Sequence, residues 1–149
     1  MANVFSAADQ STIVGTTTLP IGGLMGIASR GGYLLSAKIY NRTAIACTYR
    51  LARITAAGTP GATVTAVPHQ STDIEAADMT CKTGWTGAAT IGAGNFEIAE
   101  LGAAVGHGYI FPFAWPGLYI PAGTANGIGW VAITAATTTP PAFGFTWNE

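Results

Sequence analysis

The sequence predicts an all-β protein: an antiparallel β-sandwich, jelly-roll-like, with at most one short helix. Two observations favour this fold. Apolar and polar residues alternate with period two in several segments, and Gly and Pro punctuate the chain at intervals of roughly 8–12 residues. No strands alternate with long helical segments, which disfavours an α/β fold. The 149 residues fit one domain. We predict a sandwich domain over residues 16–149, and a possible N-terminal arm over residues 1–15, where no pattern is visible.

The first two predicted strands show the alternation most clearly. In residues 33–40 the alternation places Tyr33, Leu35, Ala37 and Ile39 on one side. In residues 43–55 it places on one face Ile45, Cys47, Tyr49 and Leu51. Asn41-Arg42 lies between the two runs, and we predict a tight hairpin turn there.

The middle of the chain contains a turn cluster, a short strand and a helix candidate. Residues 56–62, AAGTPGA, are rich in turn formers, and residues 62–68, ATVTAVP, read as a short strand that ends at Pro68. Residues 71–80, STDIEAADMT, form the helix candidate, because Ser71 or Thr72 can cap it and acidic residues suit its first turn.

The second half of the chain predicts strands only. They cover residues 88–91, 96–101, 108–113, 118–120, 128–134 and 142–147. Within residues 117–133, the glycine-rich centre superficially resembles a phosphate-binding loop, but a β-branched segment follows it instead of a helix. We therefore predict a strand connection in which Gly123, Asn126 and Gly127 allow positive φ, and a place of close packing or a bulge at Gly129.

The composition limits the classes of partner. Charged residues are only 9% of the chain, against about 25% in a typical soluble domain, so the surface is either uncharged and polar or hidden in a partner. Six Lys plus Arg and a net charge of -1 supply no basic patch, and no run of 18 apolar residues occurs. We predict no direct nucleic-acid partner, no membrane partner and no secretory signal. Cys47 and Cys81 permit one disulfide, and a buried free thiol is the simpler interpretation of Cys47.

Candidate catalytic residues are few. Glu97 and Glu100 are an acid pair by residue type, and His107 is one of two histidines. In a strand, an offset of three places the two carboxylates on opposite faces. A small hydrolase is the third-ranked hypothesis; we predict no enzymatic activity and no cofactor.

The aromatic residues concentrate in one segment. The interface candidates are Tyr109, Phe111, Phe113, Trp115 and Tyr119. In a strand the first three share one face, so the leading interpretation is sandwich core. The alternative is an interface or a sugar-stacking platform. Pro112 and Pro116 indicate an edge strand.

The segments YRLARITAAGTPGATVTAVP, ATIGAG and GLYIPAGTANGIGWVAITAA, followed by FGFTWNE, together resemble small all-β structural proteins of tailed bacteriophages, including capsid decoration (cement) proteins. The resemblance covers most of the chain from about residue 33 and carries over no binding residues. It implies a jelly-roll-like sandwich that assembles as a homotrimer, binds the major capsid protein on the exterior of the virion, is made in the host cytoplasm, and has no cofactor or enzymatic activity.

An alternative function is a receptor-binding or carbohydrate-binding module of a phage fibre or tail. The feature that favours this alternative is exposure of Trp115, Tyr119 or Trp85 in a groove.

Overall fold

The computed structural model describes residues 3–70 and 76–149. Its twelve strands are β1 (Val4–Gln10), β2 (Gly22–Met25), β3 (Gly32–Tyr40), β4 (Cys47–Ala56), β5 (Thr63–Val64), β6 (Val67–Pro68), β7 (Thr80–Thr83), β8 (Thr90–Leu101), β9 (Gly108–Pro112), β10 (Leu118–Ile120), β11 (Gly127–Thr134) and β12 (Ala142–Asn148). The described residues contain no helix. The first half of the predicted helix, residues 71–75, lies outside the described residues, and Thr80 already belongs to β7.

The strands form two antiparallel sheets that pack face to face, which confirms the predicted β-sandwich. Sheet A has the order β10-β3-β12-β1-β6, and β9 also pairs with β3. In sheet A, β12 pairs with one edge of β3. The other edge pairs with two strands, with β9 at residues 36–40 and with β10 at residues 32–34. Sheet B has the order β5-β7-β2-β11-β4-β8.

The connection between β3 and β4 differs from the prediction. These strands belong to different sheets, so Asn41-Arg42 begins a crossover and does not form a hairpin turn. Asn41 is buried, and its side-chain amide donates to the carbonyls of Ile45 and Gly102, both at 2.8 Å. Its Oδ1 accepts from the backbone N–H of Thr43. The side-chain amide of Asn41 therefore stabilises a crossover at the place where the sequence predicted a hairpin turn.

Two side-chain faces also differ from the prediction. The pairing register of β3 with β12 shifts between Thr146 and Trp147, and Leu35 is left without a partner in that ladder. Such a bulge reverses the side on which residues before it point. Tyr33 therefore points away from the core that contains Ala37. Ile45 lies before β4 and is exposed, so it does not share the buried face of Cys47.

The N-terminal segment is part of the sandwich. β1 pairs with β12 over its whole length and with β6 on its other side. Phe5 and Ala7 point into the core, and the Phe5 ring stacks on Trp147 at a centroid distance of 5.9 Å. Residues 4–10 are thus a strand inside sheet A and not the arm that the lack of pattern suggested.

Other predicted boundaries merge or split. The predicted strand at residues 62–68 is two short strands, β5 in sheet B and β6 in sheet A. The predicted strands at residues 88–91 and 96–101 are one long strand, β8, whose register against β4 shifts at three places. A chain segment that changes sheet and a strand that contains bulges both break simple period-two alternation.

The glycine-rich stretch of residues 117–133 is a crossover between the two sheets, from β10 to β11. Gly123 has a φ of 119°, whereas Asn126 and Gly127 do not have positive φ. Gly127 is needed for another reason: a Cβ there would collide with the sulfur of Met25. The stretch is therefore a strand connection, as predicted, without an Asn-Gly turn.

The core lies between the two sheets and is rich in aromatic residues. Its largest members are Trp130, Trp147, Tyr49, Phe5, Phe143 and Phe145. A second, smaller cluster consists of Met25, Ile54, Trp85 and Ala89, with Leu19, Ala57 and Ile91 packed against it. Met25 and Ile54 both pair with Gly127, next to Ile128 of the main core, and adjacent strand residues point to opposite faces. The smaller cluster therefore lies on the other side of sheet B from the main core.

Tyr49 ties two loops to β4 from inside the core. Its hydroxyl donates to the carbonyl of Val14 at 2.7 Å and accepts from the N–H of Ala136 at 3.0 Å. Burial raises the pKa of Tyr49 to about 12. Cys47 and Cys81 are buried free thiols, and burial raises the pKa of Cys81 to about 12 and that of Cys47 above its ordinary value.

Candidate interaction surface

The outer face of sheet A can be read from its strand registers, because paired residues of antiparallel strands point to the same side. Phe5, Trp147 and Leu34 form one inward row, and the alternate residues point outward. We call these outward residues the open face. They are, in rows across the sheet, Val4, Asn148, Tyr33 and Tyr119; Val67, Ser6, Thr146, Ser36 and Pro112; Ala8, Gly144, Lys38 and Ile110; and Gln10, Ala142, Tyr40 and Gly108.

The open face is almost free of charge. Lys38 is its only charged residue. Residues 101–148, which supply β9, β10 and β12, contain no Asp, Glu, Lys or Arg at all. Charged residues are depleted at the centres of protein interfaces, because each charge that is buried must first be desolvated.

The relief of the open face is uneven. Its centre, on β1 and β12, carries small side chains: Ser6, Ala8, Gly144 and Thr146. Larger side chains stand at its two margins and are exposed to solvent, with 62% of Ile110 accessible on β9 and 58% of Val67 on β6. The side chain of Lys38 lies against Gly144 and covers part of this centre. The exposed apolar side chains of the open face therefore stand at its margins.

The outer face of sheet B is different, since the protein covers it with its own loops. Trp85 and Ala89, which precede β8, pack with Leu19 against Met25 and Ile54 of sheet B. Trp85 is fully buried, and its indole N–H donates to the carbonyl of Ala57. The end of the outer face of sheet B that contains Met25 and Ile54 is therefore covered within the chain. Ile98, at the other end of that face, remains exposed, as do Ile110 and Val67 of the open face.

The five interface candidates separate into two groups. Phe111 and Phe113 pack against the core, and the ring of Phe111 lies 5.8 Å from that of Trp130. Tyr109 pairs with Ile39 on the inward side and contacts Phe111, at a centroid distance of 5.7 Å, but 39% of it is exposed at the edge of the sheet.

Trp115 and Tyr119 form the exposed group. Trp115 is 77% exposed in the loop between β9 and β10, and Tyr119 is 52% exposed on β10. The Tyr119 ring lies 5.2 Å from the ring of Tyr33, its partner across the strand pair. Arg53 of sheet B donates to the carbonyl of Tyr119 at 3.0 Å and thereby ties this edge of sheet A to sheet B.

The exposed aromatic side chains surround an open cleft of about 300 Å³. The cleft is lined by Gly31, Gly32, Tyr33, Trp115, Pro116, Tyr119, Asn148 and Glu149. The carboxylate of Glu149 is fixed by the N–H groups of Asp78 and Met79, each at 2.8 Å. Oδ1 of Asn148 is buried without a hydrogen-bond partner among the described residues. The cleft thus combines flat aromatic walls with oxygen acceptors, and no cation lines it.

The candidate catalytic residues are not brought together. Glu97 pairs with Leu51 and Glu100 with Thr48, so the two carboxylates lie on opposite faces of β8. Nδ1 of His107 accepts from the N–H of Gly102 at 2.9 Å and closes the loop before β9. This histidine has a structural partner.

Residues 3–70 and 76–149 contain no group of three or more His, Cys, Asp or Glu placed to hold a metal ion. Among the same residues there is no helix with the length and apolar character needed to cross a membrane.

Sequence reasoning missed most of the open face. The period-two pattern identified single strands, but the open face is assembled from four rows that draw on six strands. Tyr33 was assigned to the wrong side because the bulge at Leu35 is invisible in the pattern. The charge-free run over residues 101–148 is the signal that points to an uncharged surface.

Comparison of the sequence and structure with protein-family models, curated proteins and solved structures finds no match. The features of the molecule that bear on its function are the open face and the cleft.

Proposed function

We propose that this chain is a structural protein of a tailed-bacteriophage virion, a decoration (cement) protein that assembles as a homo-oligomer and binds the major capsid protein on the outside of the capsid. The observation that carries the proposal is the open face: one whole side of the sandwich is charge-poor and retains exposed Ile110, Val67 and Tyr119. Depletion of charged residues together with exposed aromatic side chains is typical of protein–protein interfaces.

The mechanism is mechanical. An oligomer that bridges neighbouring capsid subunits adds buried area across their joints, and many copies act together on a symmetric lattice. Burial of an uncharged face needs little desolvation of charged groups, so most of the buried apolar area contributes to binding.

The proposal is tested on purified virions of the phage or prophage that encodes the sequence. Quantitative mass spectrometry should find hundreds of copies per particle. Ile110→Glu, which places a charge on the open face, should lower that copy number strongly. Ile98→Glu is the matched control, because Ile98 is similarly exposed but lies opposite Arg50 on sheet B. A copy number of a few per particle, or none, would contradict the proposal.

A second candidate function, carbohydrate binding as a receptor-binding module, is favoured by the cleft. Trp115 and Tyr119 are the exposed aromatic side chains that such a site needs, and Glu149 supplies acceptor oxygens for hydroxyl groups. Trp85 is buried and takes no part.

The tryptophans provide a direct assay for this second function. Trp85, Trp130 and Trp147 are buried, so Trp115 is the one tryptophan that iodide in solution can reach and quench. A neutral oligosaccharide that stacks in the cleft should protect Trp115 from iodide, and Tyr119→Ala should abolish that protection while leaving the reporter in place. If none of a panel of gluco-, galacto-, manno- and N-acetylglucosamine-containing oligosaccharides protects Trp115, the second function is rejected.

A further inference from the structure

We infer that the cleft lined by Tyr33, Trp115, Tyr119 and Glu149 binds a methylated ammonium group, the head group of a choline-type small molecule. This inference goes beyond both functions proposed above and does not depend on the virion role. The aromatic walls, the charge and the size of the cleft together define this class of ligand.

Three aromatic rings form the walls of the cleft. Tyr33 and Tyr119 are partners across the β3–β10 pair, and their ring centroids lie 5.2 Å apart with an angle of 46° between the ring planes. The exposed indole of Trp115 lines the same cleft. The face of an aromatic ring is negative and attracts a cation that lies within about 6 Å of the ring centroid. Three rings around one cleft therefore favour a positively charged ligand.

Glu149 gives the cleft a negative charge that no neighbour neutralises. Its carboxylate is held in place by the backbone N–H groups of Asp78 and Met79. The carboxylate of Asp78 is itself paired with Arg30, at 2.6 Å, so these two side chains neutralise each other. The described residues that line the cleft include no Lys, Arg or His. The charge of Glu149 is therefore left for a ligand to neutralise.

A buried oxygen adds to this negative potential. Oδ1 of Asn148, which lines the cleft, has no hydrogen-bond partner among the described residues. A buried carbonyl oxygen without a donor keeps its partial negative charge unscreened in the low-dielectric interior. Arg53, the cation bonded to the Tyr119 carbonyl, does not offset this charge at the cleft, because it lies over the Phe96 ring, 5.2 Å from the ring centroid.

The hydrogen bonds of Glu149 favour a methylated ammonium over a primary one. Each of its carboxylate oxygens already accepts one backbone N–H. Few free acceptors are thus left for the three N–H donors of a primary ammonium. A trimethylammonium group has no N–H to satisfy, and aromatic faces are the surface that binds it.

The size of the cleft favours a single head group. Its volume is about 300 Å³, which lies at the lower end of the range of about 300–1,000 Å³ that is typical of small-molecule sites. The walls are also held before a ligand arrives, because two rings stand on paired strands and the carboxylate is fixed by two N–H groups. Such preorganisation lowers the entropic cost of binding.

Quenching of tryptophan fluorescence by acrylamide, a neutral quencher, tests the inference. Trp115 is exposed, whereas the other three tryptophans are buried, so a ligand in the cleft should protect Trp115. Choline chloride is compared at constant ionic strength with its uncharged tert-butyl analogue, dimethylbutanol, which has the same shape. Choline should protect Trp115 saturably and bind about tenfold more tightly than the analogue. Equal affinity for the two, or no saturable protection by choline, would overturn the inference.

Variants separate the contributions of charge and ring. Glu149→Gln should lower the affinity for choline about tenfold and leave that for dimethylbutanol unchanged. Glu100→Gln is the matched control, because Glu100 is an exposed carboxylate on β8, away from the cleft. Tyr119→Phe keeps the ring and should bind choline normally, whereas Tyr119→Ala should bind it about tenfold more weakly. Unchanged affinity for choline in Glu149→Gln or in Tyr119→Ala would overturn the inference.

Circular dichroism checks that each variant is folded, and the Tyr119 pair decides the inference if Glu149→Gln does not fold. Ethanolamine, the unmethylated analogue of choline, should bind more weakly than choline, and equal affinity would overturn the assignment of a methylated group. Protection of Trp115 by a neutral oligosaccharide but not by choline would overturn the inference and support the second function. The virion role is decided separately, by copy number in particles.

Discussion

Replacing Tyr49 with Phe should destabilise the protein without creating a cavity. The ring of Tyr49 is fully buried, and Phe retains it. Only the hydroxyl is lost, and with it the hydrogen bonds to the carbonyl of Val14 and from the N–H of Ala136. Ala136 is buried, so its N–H is left without a partner away from water.

The magnitude follows from these two bonds. A buried donor without a partner costs about 1–3 kcal/mol, and the loss of an ordinary hydrogen bond costs about 0.5–1.5 kcal/mol. The sum is about 1.5–4.5 kcal/mol, against a total stability of about 5–15 kcal/mol for a typical domain. For a chain of this length each kcal/mol lowers Tm by about 2–4 °C.

Urea unfolding of the two proteins measures this difference as a lower midpoint at an unchanged m-value. Tyr40→Phe is the matched control, because Tyr40 lies on the open face and its hydroxyl has no hydrogen-bond partner among the described residues. A loss of less than about 0.5 kcal/mol in Tyr49→Phe would refute the reasoning that the hydroxyl holds the two loops.

The same residue makes stability depend on alkaline pH. The pKa of Tyr49 is raised by burial from 10.0 to about 12 in the folded protein, so the unfolded chain loses the proton first. The stabilisation is fully present below pH 10 and is lost as the pH rises from 10 to 12. The difference in unfolding free energy between the unmodified protein and Tyr49→Phe should therefore shrink between pH 10 and pH 12. A constant difference would contradict the raised pKa of Tyr49 in the folded protein.

The remaining predictions concern other parts of the sandwich. Gly127→Val should cost more than about 2 kcal/mol in urea unfolding, because its side chain has no space, whereas Gly94→Ala should cost little since a Cβ there meets nothing within 4 Å. Deletion of residues 2–12 should abolish folding, seen as loss of the β-sheet circular dichroism signal, because it removes β1; a folded truncated protein would show that sheet A does not need β1. The thiols of Cys47 and Cys81 should resist a thiol-specific reagent in the native state and react upon unfolding, and rapid labelling of the native protein would show that they are not buried.

Alternation along a strand was informative because it reports which residues are buried, whatever sheet the strand joins. The pattern therefore located β3 and β4 within a few residues. The pattern did not show that β3 and β4 lie in different sheets. Polar residues follow a strand whether the chain then forms a hairpin turn or crosses to the other sheet. The buried amide of Asn41, which distinguishes them, depends on a carbonyl 61 residues away, at Gly102.

For the aromatic residues between Tyr109 and Tyr119, too, the sequence predicted some features and not others. Period two correctly grouped Tyr109, Phe111 and Phe113 on one face, but it said nothing about whether Trp115 and Tyr119 face solvent. Their exposure results from the position of β9 and β10 at the outer edge of β3. The pattern could not predict the open face, because its rows exist only after the registers of six strands are set.

The pairing of β1 with β12 brings the first and last described residues side by side. Asn3 and Glu149 exchange two backbone hydrogen bonds, each 3.2 Å long. A short linker from residue 149 to residue 3 would therefore permit circular permutation, with new ends opened in the exposed loop of residues 103–107. In such a permutant both new ends lie at the end of the sandwich opposite the cleft. A fused partner could then be attached at either end of the sandwich without changing the open face.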